Sequence, residues 1–194
     1  MDFKNHYNEQ TYPPSDDSYL MIQTIKQKPK KWNEALDMGT GTGIIAFHLS
    51  KKTRHVTAVD INPHALKSAE KNLLNIKNID LIQSDLFNNI KPKKYDLITF
   101  NPPYIPIKNQ ELPKNQEIEK SWNGGENGRK TIKRFLKEAR NYLSIDGEIL
   151  LLISSITGSR ETKRTANKLG YNTKTSNKKE IFFETLEVLQ LTKK

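Results

Sequence analysis

The sequence predicts an α/β fold: a mostly parallel sheet of seven strands that ends in an antiparallel hairpin. Three observations lead there. From Glu34 onward, short apolar runs alternate with helical stretches. The first run closes on an acid and a glycine-rich turn, Asp37-Met38-Gly39-Thr40-Gly41-Thr42-Gly43. The last two β-rich runs, 171–182 and 184–192, have almost nothing between them. Alternation of strand and helix is the pattern of βαβ units, and two strands joined by a minimal connection must run antiparallel.

Residues 1–13 are polar and irregular. Ser15-Asp16-Asp17 then precede Tyr19, Leu20, Ile22 and Ile25, which reads as a capped amphipathic helix to about Lys28. Ala35 to Met38 is the first strand, followed by a helix from Ile44 to Lys51. Val56 to Val59 is the second, followed by a helix from His64 to Leu74. Leu81-Ile82 marks the third strand and Tyr95 to Phe100 the fourth. A helix over about 127–143, a strand at 148–154 and a helix over about 158–169 lead into the closing hairpin. Ile105 to Glu126 is the one long irregular piece, and loops of that length tend to be functional.

A chain of 194 residues suits one domain that buries roughly 70% of the surface its unfolded form exposes. It has no cysteine, which excludes disulfides and thiolate zinc sites and fits a reducing compartment. No metal site is expected. The start has no apolar core like that of a signal peptide. The longest apolar run, Ile149 to Ile153, falls far short of the ~20 residues that span a bilayer, so a soluble, cytoplasmic protein is expected. Thirty-two Lys and Arg against 22 Asp and Glu give a net charge of +10. That charge fits a polyanionic partner such as RNA or a ribosome-associated protein. It fits equally a nucleotide bias of the genome, since the cations are mostly lysines dispersed among asparagines.

Three consecutive strands end in or beside an acid: Asp37 at the first, Asp60 at the second, Asp85 after the third. In an open α/β sheet these carboxyl ends converge on the crevice where ligands bind. Glycines at 39 and 41 let backbone approach a ligand closely, and a carboxylate in the position of Asp60 can accept from both hydroxyls of a ribose. Each acid alone has a structural alternative: Asp37 satisfying turn amides, Asp60 starting the turn before Asn62-Pro63, Asp85 capping the next segment of chain. Their common register with the strands favours the ligand.

The fourth strand runs into Asn101-Pro102-Pro103-Tyr104. An amide or aromatic amino nitrogen is a poor nucleophile because its lone pair is delocalised. Activating it requires two fixed acceptors that hold both N–H bonds. The Asn101 side-chain oxygen and the Pro102 carbonyl can supply them, and the two prolines fix the local backbone in advance. Tyr104 offers an aromatic face to a flat group.

The whole pattern over residues 35–155 resembles the class I methyltransferases. That resemblance implies a Rossmann-like sheet with helices on both faces and the cofactor S-adenosyl-L-methionine. It further implies that Asp37, Gly39 and Gly41 hold the methionine part, that Asp60 holds the ribose, that Ile61 packs on the adenine, and that Asp85 and the Leu86 amide read it. Asn101 would border both cofactor and substrate, with Pro102, Pro103 and Tyr104 completing the substrate site.

Two further segments narrow the resemblance. Ser121-Trp122-Asn123-Gly124-Gly125-Glu126-Asn127-Gly128-Arg129 carries a Trp-x-Gly-Gly-x-x-Gly pattern similar to the HemK/PrmC protein-glutamine methyltransferases. Tyr12-Pro13-Pro14-Ser15-Asp16-Asp17-Ser18 resembles a segment of that family's eukaryotic and archaeal branch. Ser18 takes the place of a cofactor-contacting threonine, while Pro13 departs from the pattern by replacing a glutamate.

The branch lacks the N-terminal helical domain of the bacterial enzymes. By that comparison, residues 1–30 are a tail and helix laid on the cofactor site and residues 31–194 the methyltransferase domain. The implied substrate is the glutamine in the Gly-Gly-Gln motif of a class I translation release factor. The implied partner is a small zinc-binding activator that adds a strand at the sheet edge near Leu81-Ile82. The same Asn-Pro-Pro-Tyr also serves enzymes that methylate adenine or guanine amines in nucleic acids, which stands as the alternative.

Overall fold

Parallel strands buried on both faces need apolar residues at nearly every position, and the first, second and fourth apolar runs meet that need. In the computed structural model, which describes residues 3–103 and 129–194, they become β1 (Trp32–Met38), β2 (Thr53–Asp60) and β4 (Tyr95–Phe100). β3 (Ile79–Gln83), β5 (Leu143–Ser154), β6 (Tyr171–Ile181) and β7 (Glu184–Lys193) complete a seven-stranded sheet of order β3-β2-β1-β4-β5-β7-β6. β1 to β5 pair in parallel, and β7 enters antiparallel between β5 and β6. The expected class of sheet and its closing hairpin are both present.

Side chains alternate across the sheet and so sort the helices into two layers. Ala35, Ala58, Leu97 and Leu150 face α1 (Asp16–Gln27), α2 (Ile44–Ser50) and α3 (Pro63–Leu73). Leu36, Val59, Ile98, Phe100 and Leu151 face α4 (Lys130–Tyr142) and α5 (Ser159–Lys168). On α4, Ile132, Phe135, Leu136 and Ala139 form one buried stripe at helical spacing. No described helix is long and apolar enough to cross a membrane.

Two local expectations differ in detail. Ser15 takes the position before α1, but its side chain makes no capping bond; Asp16 and Asp17 in the first turn instead face the positive end of the helix dipole. β5 begins at Leu143 rather than 148, because Leu143 pairs with Tyr95 before the register shifts toward Leu97. Gly147 allows the close passage there: a Cβ on it would lie 2.9 Å from the Tyr95 carbonyl oxygen.

Candidate active site

Register decides what stands at the carboxyl ends of the central strands. Met38 pairs with Val59 on one side and Phe100 on the other, so the residues after them, Gly39, Asp60 and Asn101, stand side by side. One residue earlier, Asp37 pairs with Thr99. The Thr99 hydroxyl donates to Asp37 Oδ1 at 2.7 Å, and the Thr40 hydroxyl donates to Oδ2 at 2.7 Å. Burial pushes the Asp37 carboxyl up to about 6. The two hydroxyl bonds pull it back, and the neighbouring Asp60 adds to the rise.

Asp60 is also buried, and desolvation raises its carboxyl against the pull of backbone donors. Gly41 N–H donates to Oδ2 at 2.8 Å and Asn62 N–H to Oδ1 at 2.9 Å. The acid thus ties β2 to the glycine-rich turn and also starts the turn into α3, where the Asn62 side chain caps the helix. Each carboxylate oxygen offers two lone pairs, so acceptor capacity remains for a ligand.

The three glycines divide their roles. Gly39 and Gly41 have φ of 65° and 55°, in the left-handed region that favours glycine, and a Cβ on Gly41 would meet nothing within 4 Å. That turn is open to a ligand. Gly43 instead packs on α3, where a Cβ would lie 2.8 Å from Leu73 Cδ1.

Beyond β3, the carboxylate of Asp85 is gripped by Arg134 of α4, whose Nη1 lies 2.9 Å and 2.8 Å from its two oxygens while Nη2 reaches the Asp85 carbonyl at 3.3 Å. Leu86 is buried with φ of 50°, a left-handed conformation that costs a bulky residue on the order of 1–3 kcal/mol. Ser84 holds it there, its hydroxyl donating to the Leu86 carbonyl at 2.8 Å and accepting from Asn89 N–H at 2.9 Å. Ile61 is half-buried between these segments, its carbonyl accepting from Gln83 Nε2 at 3.3 Å.

At the tip of β4, Asn101 is half-buried, yet its Oδ1 is buried and accepts from no donor among the described residues. Buried acceptors are rarely left unpaired. Pro102 beside it is buried and Pro103 half-buried.

The tail before α1 is irregular, as the sequence suggests, but anchored. Asn72 of α3 accepts from His6 N–H at 2.7 Å and donates to the carbonyls of His6 at 2.8 Å and Thr42 at 2.9 Å, and Asn62 Nδ2 donates to the Gln10 carbonyl at 2.8 Å. Residues 6–10 are therefore fastened beside the glycine-rich turn. Ser18 is buried in the first turn of α1, its hydroxyl donating to Asp17 Oδ1 at 3.1 Å.

The fold thus groups Asp37, Gly39, Gly41, Asp60 and Asn101 at adjacent strand ends, with Ile61 next to Asp60 and with Asp85 and Leu86 one strand further out. Tyr104 and the Trp-x-Gly-Gly segment up to Gly128 lie outside the described residues. Sequence reading missed Thr40, Thr99, Asn72 and Arg134. Thr99 was within reach, since parallel pairing of two strands that end in Asp37-Met38 and Thr99-Phe100 sets it opposite the acid. Arg134 carries no such signal, because its partner is brought to it only by the packing of α4.

Residues 15–120 match the family described as the methyltransferase small domain. A Methanocaldococcus jannaschii protein described as a "putative protein N5-glutamine methyltransferase" is 37% identical over 93% of this chain and 90% of its own length. Human methyltransferase HEMK2 is 28% identical over 94% and 89%. A Shewanella oneidensis release factor glutamine methyltransferase is 32% identical over 74% of this chain, which spans about half, 53%, of that longer protein. Among solved structures, the Mtq2–Trm112 complex of E. cuniculi, titled as responsible for methylation of the termination factor eRF1, superposes with a TM-score of 0.76 at 26% identity over 95% of this chain and 99% of that one. The sheet order, the acid-tipped strands and these relatives agree: the chain belongs to the methyltransferase small domain family and, within it, to the HemK/PrmC-type protein-glutamine methyltransferases.

Proposed function

We propose that this protein uses S-adenosyl-L-methionine to methylate the side-chain amide nitrogen of the glutamine in the Gly-Gly-Gln motif of a class I translation release factor. The observation that carries the reading is the buried Asn101 Oδ1, without a partner among the described residues and level with Gly39 and Asp60 at the centre of the sheet's carboxyl edge. The residues fit the cofactor. A left-handed turn at Gly39 and Gly41, open at Gly41, suits close approach of the methionine part, with Asp37 behind it for the cationic amino group. Asp60 keeps lone pairs for ribose hydroxyls, and Leu86, strained into place behind Asp85, suits recognition of the adenine. Ser18 and the fastened tail complete that side, in keeping with a division at residues 1–30 and 31–194.

When bound, the cofactor supplies an electrophilic methyl group on a sulfonium. Asn101 Oδ1 accepts one N–H of the substrate amide and the Pro102 carbonyl the other, which turns the nitrogen lone pair out of conjugation toward the methyl. Pro103 flanks the flat group, a role the family resemblance also gives to Tyr104. No strong base is needed, because the nitrogen becomes acidic as it is alkylated and loses its proton afterwards. Holding the reacting atoms in line is worth about 7–11 kcal/mol of the barrier.

A small activator protein, in keeping with the two-protein make-up of the E. cuniculi complex, fits at β3, which among the described residues pairs only with β2 and leaves an open edge with Leu81 and Ile82 half-buried. The test uses tritiated cofactor with a purified release factor carrying Gly-Gly-Gln or Gly-Gly-Asn, alongside tRNA and rRNA, with and without the activator. Label is expected in the Gly-Gly-Gln factor alone. Label in RNA with none in the factor would establish the nucleic-acid amino methyltransferase instead.

A further inference from the structure

The β6–β7 hairpin turns through two phenylalanines. Ile181 pairs with Glu184, so Phe182 and Phe183 are the whole loop, and they are 101% and 97% exposed. Both choices run against ordinary chemistry. Two-residue hairpins prefer asparagine and glycine because the favoured turns need positive φ, yet neither phenylalanine has it. Two adjacent aromatic rings fully in water are also costly to solubility.

The tip has a defined place. β7 is antiparallel to β5, and Leu186 pairs with Ser154 at the end of β5, so the turn projects from the same edge of the sheet as Asn101. Asn101 stands two strands away and about five residues back along β7, which puts the tip roughly 20 Å from it by strand spacing and rise. The base of the tip is fixed: Ser154 hydrogen-bonds to Glu184, Thr185 N–H donates to Ser155 Oγ at 2.9 Å, and Lys179 pairs with Asp16 at 2.9 Å. Ile156, 53% exposed, lies beside it just past the end of β5.

We infer that Phe182 and Phe183 are an anchor for the body of the protein substrate, filling an apolar pocket on it while its glutamine enters the site at Asn101. This rests on the proposed function and adds how the substrate is chosen. A separation of roughly 20 Å suits a folded protein, whose interfaces cover about 800 Å² a side, and exceeds what a peptide loop alone covers.

Charge argues against nucleic acid at this point: Lys178 and Lys179 are outnumbered around the tip by Asp16, Glu180 and Glu184, and both pair with them. A phosphate backbone needs uncompensated cations. Two rings also bury too little, about 300–500 Å² together, to hold a second copy of the chain by themselves. As one end of a larger contact that begins at the catalytic site, they suffice.

The test is the double variant Phe182→Asn, Phe183→Gly, which removes the rings and supplies the turn residues a hairpin prefers, so folding is preserved or improved. Transfer is measured to an intact release factor and to a short Gly-Gly-Gln peptide, with sedimentation and RNA binding run in parallel. The expected result is a KM at least tenfold higher for the intact factor, with kcat, cofactor affinity and transfer to the peptide within twofold. An unchanged KM for the factor overturns the inference while leaving the proposed function standing. So does a tip-dependent dimer, or RNA binding that the variant abolishes. If the unaltered protein labels neither factor nor peptide, the functional reading itself fails and the inference falls with it.

Discussion

Asp37 illustrates how a single buried acid links stability to ligand binding. Its carboxyl is raised by burial to about 6, so the folded protein holds that proton more tightly than the unfolded chain does. Its contribution to stability is therefore fully present below the unfolded value near 4 and is lost as pH rises through 6, a swing of roughly 3 kcal/mol. Asp37→Asn should flatten that part of the pH–stability curve, as read by denaturant midpoints between pH 4 and 7. A cationic amino group beside the ionised acid acts in the opposite direction. Cofactor affinity measured by calorimetry should therefore rise from pH 5 to 7 in the unaltered protein and stay nearly flat in the variant. A flat profile in both would place the amino group elsewhere. The acids themselves were legible in the sequence because they end apolar runs. Their hydroxyl partners were only partly so, since Thr40 and Thr99 acquire meaning once the strand register is known.

At the level of elements, α4 is the brace of the site. Phe135, fully buried, lies 4.5 Å from the Phe100 ring and 5.8 Å from the Phe87 ring, so it backs both the tip of β4 and the segment after β3. Phe135→Ala should cost about 3–5 kcal/mol, a fall of about 6–20 °C in Tm. From the next position Arg134 reaches Asp85. Exposed enough for water to screen it, this pair contributes little stability. Arg134→Ala should leave Tm within 2 °C yet weaken cofactor binding several-fold by freeing the Asp85 segment; equal affinity would show that the clamp does not shape the site. The order of helices and strands could be read from alternating apolar runs, as could the antiparallel close. The early start of β5 could not, because it depends on the pairing of Leu143 with Tyr95 ahead of a register shift, which no local pattern announces.

For the whole molecule, the charge of +10 and the geometry of the sheet's carboxyl edge make separate predictions. Dispersed lysines give sequence-independent attraction to RNA that fades between 50 and 200 mM salt. Filter binding should find that fading and no preferred sequence; tight binding of one RNA at 200 mM salt would contradict it. Catalysis, by contrast, depends on one oxygen. The most direct measurement is the single-turnover rate of methyl transfer to a Gly-Gly-Gln release factor by Asn101→Ala, with cofactor affinity determined on the same sample. The account predicts a loss of about 10²–10³ in rate with cofactor affinity kept within tenfold. A variant that still transfers at near the original rate, or one that loses cofactor binding as fully as activity, would contradict it.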